Sequence, residues 1–160
     1  MIIQFEKGMI KVKNNHRTLN KYSKAFYHDW GIMTIKELKE KSILYRETTL
    51  RIIRDAQSGH TGGDLSCIDI LNVLYNEILN ISPDRVNDPN RDRYVQSKGH
   101  AAEALYAVLS ENGFMPKEWT KNVGGYLSPA TGHPTKNIPG IEQNTGALGH
   151  GLPMAVGMAI

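Results

Sequence analysis

Three of the four Gly–His pairs in this chain, those that end at His60, His100 and His133, each lie in their own glycine-bearing loop. The fourth pair ends at His150, within the segment 145–151. Apolar residues recur at helical spacing between these loops, so the chain is predicted to alternate helices with tight, shaped turns. Loops gathered at one end of a scaffold are where functional sites usually form. The pattern therefore predicts a mainly helical scaffold that presents histidine-bearing loops.

A helix is predicted from about Thr34 to Ala56, because Thr34 and Glu37 form a T-x-x-E capping box in which each side chain satisfies a free backbone N–H. A second helix is predicted to open with a similar box, Ser66 with Asp69. Loops are predicted over 58–63 and 124–146, and a short strand over 93–97. A helix is predicted from about Ala101 to Glu111, where Asn112 and Gly113 end it, and Pro116 is predicted to open a short helix. The last helix is predicted to start near 149–152 and to be fully buried.

Charge is distributed unevenly along the chain. Residues 1–32 hold six Lys and Arg but only two acids, which leaves 13 basic and 14 acidic side chains in residues 33–160. No basic face that would bind nucleic acid is therefore expected on the folded domain. Residues 1–32 also show no sustained helical or strand period. Our hypothesis is that they are a divergent basic extension that is not native, that Met33 is the true start, and that residues 33–160 form one domain.

Composition also bears on the compartment. The chain has one cysteine, Cys67, which excludes an internal disulfide framework and fits a reducing environment. No apolar run approaches the roughly 18 residues that a membrane span needs. Residues 1–30 lack the apolar core of a secretory signal. The prediction is a cytoplasmic protein that binds neither membranes nor nucleic acid.

A histidine beside a glycine suits a ligand site, because glycine lets the backbone approach closely and imidazole relays protons near neutral pH. The plain alternative is a surface or helix-capping histidine, and spacing alone does not decide. The segment Thr145–Gly151 could present backbone N–H groups to a phosphate, although its spacing favours tight packing. Cys67 is interpreted as a small buried hydrophobe rather than a thiol of lowered pKa. Asp64 could either orient His60 or cap a helix.

Four segments, in this order, resemble the N-terminal region of transketolases. They are Ser58-Gly-His-Thr-Gly-Gly, Asp92-Arg-Tyr-Val-Gln-Ser-Lys-Gly-His, Gly132-His-Pro and Thr145-Gly-Ala-Leu-Gly-His-Gly-Leu. The likeness covers roughly residues 33–160, and the run from Lys98 to Tyr106 is most similar to transketolases split into two chains. The resemblance implies an α/β fold: a partial three-layer thiamine-diphosphate-binding domain, mostly helices, with about one strand of a parallel sheet.

The resemblance also implies an activity, the transfer of a two-carbon ketol unit between ketose and aldose phosphates with thiamine diphosphate as cofactor. His60 resembles the histidine that contacts the sugar and assists proton transfer. His133 resembles the one near the C1 hydroxyl of the donor sugar, and His100 the one that hydrogen-bonds the cofactor diphosphate. The family stretch that lies along the cofactor is matched by Gly146, Ala147 and Leu148.

The chain departs from the family pattern in two ways. Many members have proline where Thr61 and Ala147 stand and glutamine where His150 stands, which are mild changes. The Gly-Asp-Gly segment and later asparagine of the family's Mg²⁺ site have no counterpart before Ile160, so no metal ligand is predicted here. We expect a clipped chain whose Mg²⁺ ligands lie downstream. We expect it to join a C-terminal transketolase subunit or domain, as a dimer or heterotetramer, and to be inactive alone.

Three alternatives stay open on the sequence. One is another thiamine-diphosphate enzyme, such as 1-deoxyxylulose-5-phosphate synthase, although the loop at Gly132-His-Pro speaks against it. Another is a hydrolase metal site built from the three histidines, although no two are spaced for one helix face and no carboxylate pair accompanies them. The third is a non-catalytic remnant that binds a partner chain through apolar surface around residues 152–160.

Overall fold

The computed structural model describes residues 4–6, 9–11 and 33–160. Near the start, β1 (Gln4–Glu6) and β2 (Met9–Lys11) form an antiparallel pair with Phe5 opposite Ile10. These six residues form strands although residues 1–32 show no sustained strand period in the sequence. The hypothesis of a non-native extension mostly concerns residues that lie outside the described ranges.

The first helix, α1 (Ile35–Ala56), begins at the predicted capping box. The Thr34 N–H donates to Glu37 Oε2 at 2.6 Å, and the Glu37 N–H donates to Thr34 Oγ1 at 3.2 Å. Tyr45 and Ile52 lie on the buried side of the helix. Because both bonds of the box are made, the predicted start of α1 is confirmed, and the helix also ends where it was predicted to end.

The segment after α1 forms two short helices where a loop and one helix were predicted. α2 (Thr61–Leu65) begins inside the predicted loop, and its Asp64 N–H donates to the His60 carbonyl at 2.9 Å. α3 (Ile68–Val73) runs directly into one π-helical turn, Leu74–Ile78. Two glycines of the predicted loop are therefore held in helical geometry.

The capping box predicted at the start of α3 is wrong. Ser66 Oγ donates to the Gly63 carbonyl at 2.8 Å, so this residue closes α2 instead of opening α3. Asp69 accepts two hydrogen bonds from the Arg46 guanidinium, at 2.7 and 3.0 Å. Asp69 therefore pairs with a cation on α1, and α3 has no side-chain cap. Ile70 is 61% exposed, so it does not lie on the buried side of α3.

The helix α4 (Ala102–Glu111) lies at the centre of the described core. Every residue from 101 to 110 is buried, and α1 and α3 pack against the helix. Burying apolar surface of this kind stabilises a fold by about 25 cal/mol per Å². The helix ends at Asn112 and Gly113 as predicted, and Gly113 takes a positive φ of 80° that suits a C-terminal stop.

A buried polar network fixes how the three core helices meet. The Tyr45 hydroxyl of α1 accepts hydrogen bonds from Asn76 Nδ2 at 3.1 Å and from Asn112 Nδ2 at 3.0 Å. Asn72 Nδ2 of α3 donates to the Leu38 carbonyl of α1 at 2.6 Å. Since buried polar groups are costly unless paired, these bonds hold α1, α3 and α4 in one relative arrangement.

The strand predicted over 93–97 is not present, and residues 33–160 contain no strand of a parallel sheet. The segment is held by side chains instead: Arg93 Nη1 donates to Glu142 Oε2 at 2.9 Å, and Arg91 pairs with the same carboxylate. A strand needs a neighbouring strand to receive its backbone hydrogen bonds, and the described chain offers none here. The prediction of a strand was therefore wrong.

The last helix, α5 (Gly151–Met158), starts within the predicted range, but the prediction that it is fully buried is wrong. Leu152 is 54% exposed, and Val156 and Ile160 are exposed as well. Short 3-10 helices lie at Pro83–Arg85 and, after Pro116, at Lys117–Lys121. Among the described residues, no helix is both long and apolar enough to cross a membrane.

Candidate functional site

His60, His100 and His133 converge in the fold. The ring centroid of His60 lies 5.2 Å from that of His100 and 6.5 Å from that of His133, and both pairs meet edge to face. The rings come from the start of α2, the loop before α4 and the 124–146 loop. His60 and His133 are exposed and His100 is half-buried. Segments that are distant in sequence therefore present three imidazoles to one region of solvent.

The helix α2 supports His100. A Cβ built on Gly63 would lie 3.0 Å from His100 Cδ2, so a larger residue there would press on the ring. Lys98 Nζ donates to the Gly63 carbonyl at 2.6 Å and to Ser66 Oγ at 2.7 Å. These bonds fasten the loop before α4 to the end of α2. Lys98 was not predicted to have a role, although it stands in the Lys-Gly-His motif.

Tyr106 of α4 positions the His133 loop. Its hydroxyl lies 2.8 Å from the Thr131 carbonyl and 2.9 Å from the His133 carbonyl, so it can donate to either, and Thr131 Oγ1 donates to the His133 carbonyl at 2.8 Å. Burial raises the pKa of the Tyr106 phenol above its ordinary value, so the group stays a donor at neutral pH. The sequence carried no signal for this contact beyond a tyrosine on the buried helix.

The stretch predicted to lie along a cofactor begins beside His133. A Cβ built on Gly146 would lie 3.1 Å from His133 Cδ2. The Thr145 N–H donates to the Pro134 carbonyl at 3.3 Å, which ties this stretch to the histidine loop. Ala147 and Leu148 follow, and both are exposed. The fold thus brings Gly146 to the histidines and leaves Ala147 and Leu148 open to solvent.

Two carboxyl groups lie buried behind His60. Asp64 is 0% and Glu103 is 3% exposed. Asp64 Oδ1 accepts the Ala104 N–H at 2.9 Å, so the capping role that the sequence left open is confirmed, although the capped helix is α4 and not α2. Burial and the neighbouring Asp64 raise the pKa of Glu103 to about 7. The expectation that no carboxylate pair accompanies the histidines is therefore wrong, because only folding brings positions 64 and 103 together.

Cys67 is a free, buried cysteine. Burial raises the pKa of its thiol above the ordinary value, and the charge of Lys98 only partly opposes this. The thiolate is the reactive form of cysteine, so a raised pKa makes this side chain inert. The interpretation of Cys67 as a small buried hydrophobe is confirmed.

The chemistry of the site suits an anionic, hydroxyl-bearing ligand. Imidazole N–H groups donate to phosphate oxygens, and the bond strengthens when the ring is cationic. Across residues 33–160, no group of three His, Cys, Asp or Glu side chains is arranged to hold a metal ion. This arrangement gives no support to the hydrolase metal site that was left open as an alternative.

Comparison with known proteins agrees with this geometry. Residues 38–160 match the family "Transketolase, thiamine diphosphate binding domain". The chain is 47% identical over 128 residues to an apulose-4-phosphate transketolase subunit of Phocaeicola vulgatus, across 80% of this chain and 46% of that protein. It is 39% identical over 126 residues to 6-deoxy-6-sulfo-D-fructose transketolase subunit SqwG of a Clostridium species, across 78% and 46%. The chain spans about half the length of these curated relatives.

The fold is also that of solved transketolases. The Campylobacter jejuni enzyme superposes with a TM-score of 0.74 at 38% identity, across 78% of this chain and 20% of that one. The Leishmania mexicana enzyme superposes with a TM-score of 0.70 at 27% identity, across 79% and 19%. The predicted fold, a partial thiamine-diphosphate-binding domain made mostly of helices, is confirmed apart from its strand. The chain belongs to the transketolase family, in its thiamine-diphosphate-binding domain.

Proposed function

We propose that this chain forms the N-terminal part of the cofactor site of a transketolase, which transfers a two-carbon ketol unit from a ketose phosphate to an aldose phosphate. The observation that carries this proposal is the convergence of His60, His100 and His133 within a domain of this family. Relatives named as transketolases of different sugars support ketol transfer as the common reaction and leave the sugar itself open.

His100 is the residue that we assign to the cofactor diphosphate. Its half-buried ring is held against α2, and an imidazole N–H is a suitable donor for a phosphate oxygen, so the residues present fit this group. The cofactor would lie along Gly146, Ala147 and Leu148, because Gly146 borders the His133 ring and the two residues that follow it are exposed to solvent. Bound thiamine diphosphate would supply the carbon that takes up and passes on the two-carbon unit.

His60 and His133 are the residues that we assign to the sugar. Both are exposed, and their ring centroids are 6.5 Å apart, a distance that lets both rings reach hydroxyls of one sugar. Each imidazole can hold a hydroxyl and move its proton near neutral pH. His60 would assist proton transfer, and His133 would hold the C1 hydroxyl of the donor.

We also propose the wider setting of the site. Mg²⁺ would bind through ligands outside residues 33–160, and a C-terminal transketolase subunit or domain would complete the site in a dimer or heterotetramer. The subunit relatives, of which this chain spans about half, support that partner. Residues 33–160 would be one domain and residues 1–32 a separate basic extension. The free thiol of Cys67 supports a cytoplasmic location.

A chimera tests these roles. Residues 38–160 replace the matched segment of the Campylobacter jejuni transketolase, and ketol transfer is measured with thiamine diphosphate and Mg²⁺. We expect an active chimera in which His60→Ala or His133→Ala lowers kcat/KM by about 100-fold or more, since positioned proton-transfer groups contribute about 10²–10⁴-fold. His100→Ala should instead weaken the binding of thiamine diphosphate, because it removes a hydrogen-bond donor to the diphosphate. His150→Gln is the matched control, because His150 is another exposed histidine after a glycine, and it should stay close to the parent.

Three outcomes would contradict the proposal. A chimera that folds and binds thiamine diphosphate but transfers no ketol unit would contradict the proposed activity. An active chimera that is insensitive to all three alanine substitutions would contradict the roles assigned to the histidines. Measurable ketol transfer by the purified 160-residue chain alone would show that no partner subunit or domain is needed.

A further inference from the structure

Asp64 and Glu103 form a buried acid pair that the roles proposed above do not use. Asp64 belongs to α2, and Glu103 is the second residue of α4. The residue before α4 is Ala101, which has no side chain able to cap the helix. Asp64 takes over that task by accepting the Ala104 N–H at 2.9 Å. One carboxyl group therefore joins α2 to the start of α4.

The pair lies directly against the backbone around His60. A Cβ built on Gly59 would lie 3.3 Å from Glu103 Oε1, so this acid sits beneath the residue that precedes the histidine. The Asp64 N–H donates to the His60 carbonyl at 2.9 Å. The Glu103 carboxyl group therefore packs against Gly59, and the backbone of Asp64 is hydrogen-bonded to His60 within the first turn of α2.

One oxygen of each acid has no hydrogen-bond donor from any other group. These atoms are Asp64 Oδ2 and Glu103 Oε2, and both are buried. Two adjacent carboxylates repel one another in a buried site, whereas one shared proton bonds both oxygens as O–H···O⁻. Burial raises the pKa of both acids, that of Glu103 to about 7. The titratable groups that face the pair are His60, Cys67 and Tyr106, of which only His60 can become cationic.

We propose that Asp64 and Glu103 share one proton and act together as positioning residues for His60. With the proton present, the acid pair links α2 to α4, and the segment from Gly59 to His60 stays packed on α4. When the proton is lost, the two carboxylates repel, and that segment moves away from His100. The purpose assigned to His60 rests on the proposed function, whereas the shared proton is a property of this chain alone.

Carbon-13 NMR of the full chain, labelled at its carboxyl carbons, tests the proposal. We expect the Glu103 signal, identified by its loss in Glu103→Gln, to titrate near pH 7, in keeping with the raised pKa of that carboxyl. The nuclear Overhauser contact between the His60 and His100 rings, whose centroids are 5.2 Å apart, should persist below that pH and weaken above it. In Glu103→Gln the amide replaces the shared proton as donor, so the contact should persist across the same pH range.

Glu111→Gln is the matched control, because Glu111 lies on the same helix and its carboxylate pairs with Lys117 at 2.5 Å, at the other end of α4. The control should keep the parent's pH profile.

Should circular dichroism show that Glu103→Gln does not fold, Asp64→Asn gives the same test, since its amide can both accept from Ala104 and donate to Glu103. The outcome that overturns the proposal is a Glu103 carboxyl that titrates at its ordinary pKa, or a ring contact with the parent's pH profile in the folded amide variant. These readouts need neither cofactor nor partner, so failure here is distinct from failure of ketol transfer in the chimera.

Discussion

At the scale of a single residue, Gly99 holds two parts of the site together. A Cβ built on Gly99 would lie 2.5 Å from the Thr145 carbonyl oxygen and 2.7 Å from the Gly146 nitrogen. Both of these are backbone atoms, which cannot turn aside as the end of a flexible side chain can. His100 and the Gly146 stretch are therefore neighbours because the position between them carries no side chain.

We predict that Gly99→Ala destabilises the protein by about 1–3 kcal/mol, the usual cost of forcing an extra methyl group into a packed region. Urea denaturation measures the change. Gly62→Ala is the control, because a Cβ on Gly62 of α2 meets open space and alanine favours a helix by up to about 1 kcal/mol. Equal loss of stability in the two variants would show that the contact at Thr145 is not the cause.

At the scale of secondary-structure elements, two helices begin in different ways. The cap of α1 comes from its own neighbours, Thr34 and Glu37, whose bonds both form. The cap of α4 comes from Asp64, forty positions away in the sequence. The first kind of start can be read from four adjacent residues. The second exists only once α2 and α4 have packed together, so no local signal in the sequence marks it.

We predict that Thr34→Ala lowers the free energy of unfolding by about 1 kcal/mol, because the Glu37 N–H loses its acceptor at the start of α1. Thermal denaturation followed by circular dichroism measures this. Thr34→Ser is the control, since it keeps the hydroxyl and should remain close to the parent. A loss in Thr34→Ser as large as that in Thr34→Ala would point to the missing methyl group and not to the cap.

At the scale of the whole molecule, a buried acid and an acid paired with a cation have opposite effects on the free energy of unfolding as pH changes. The Arg46 guanidinium lowers the pKa of Asp69, so that carboxylate stabilises the fold at neutral pH and ceases to do so in acid. Burial raises the pKa of Glu103 to about 7 and also raises that of Asp64. The native state therefore binds more protons at these two sites than the unfolded chain does between the ordinary carboxyl pKa and pH 7.

Because the native state holds these extra protons, the free energy of unfolding should fall as pH rises from about 5 to about 7. It should level off above pH 7, where the native state has lost the protons that only it held. Urea midpoints measured across this window check the prediction. In Glu103→Gln the decline should be smaller, because the raised pKa of that carboxyl is gone. All other titratable groups are the same in the two proteins, so the difference between the two curves isolates Glu103. Parallel curves would contradict the prediction.

The sequence by itself determined the helices whose signals are local, and the family. The bounds of α1 and α4 follow from a capping box and from an Asn-Gly stop, both of which act over a few residues. The order of the Gly–His segments sufficed to indicate a transketolase domain. Tertiary structure alone decided that the three rings meet, that Asp64 caps α4 beside Glu103, that residues 93–97 pair with no strand, and that α5 is exposed. Each of these depends on contacts between distant segments, and such contacts leave no periodicity or spacing in the chain.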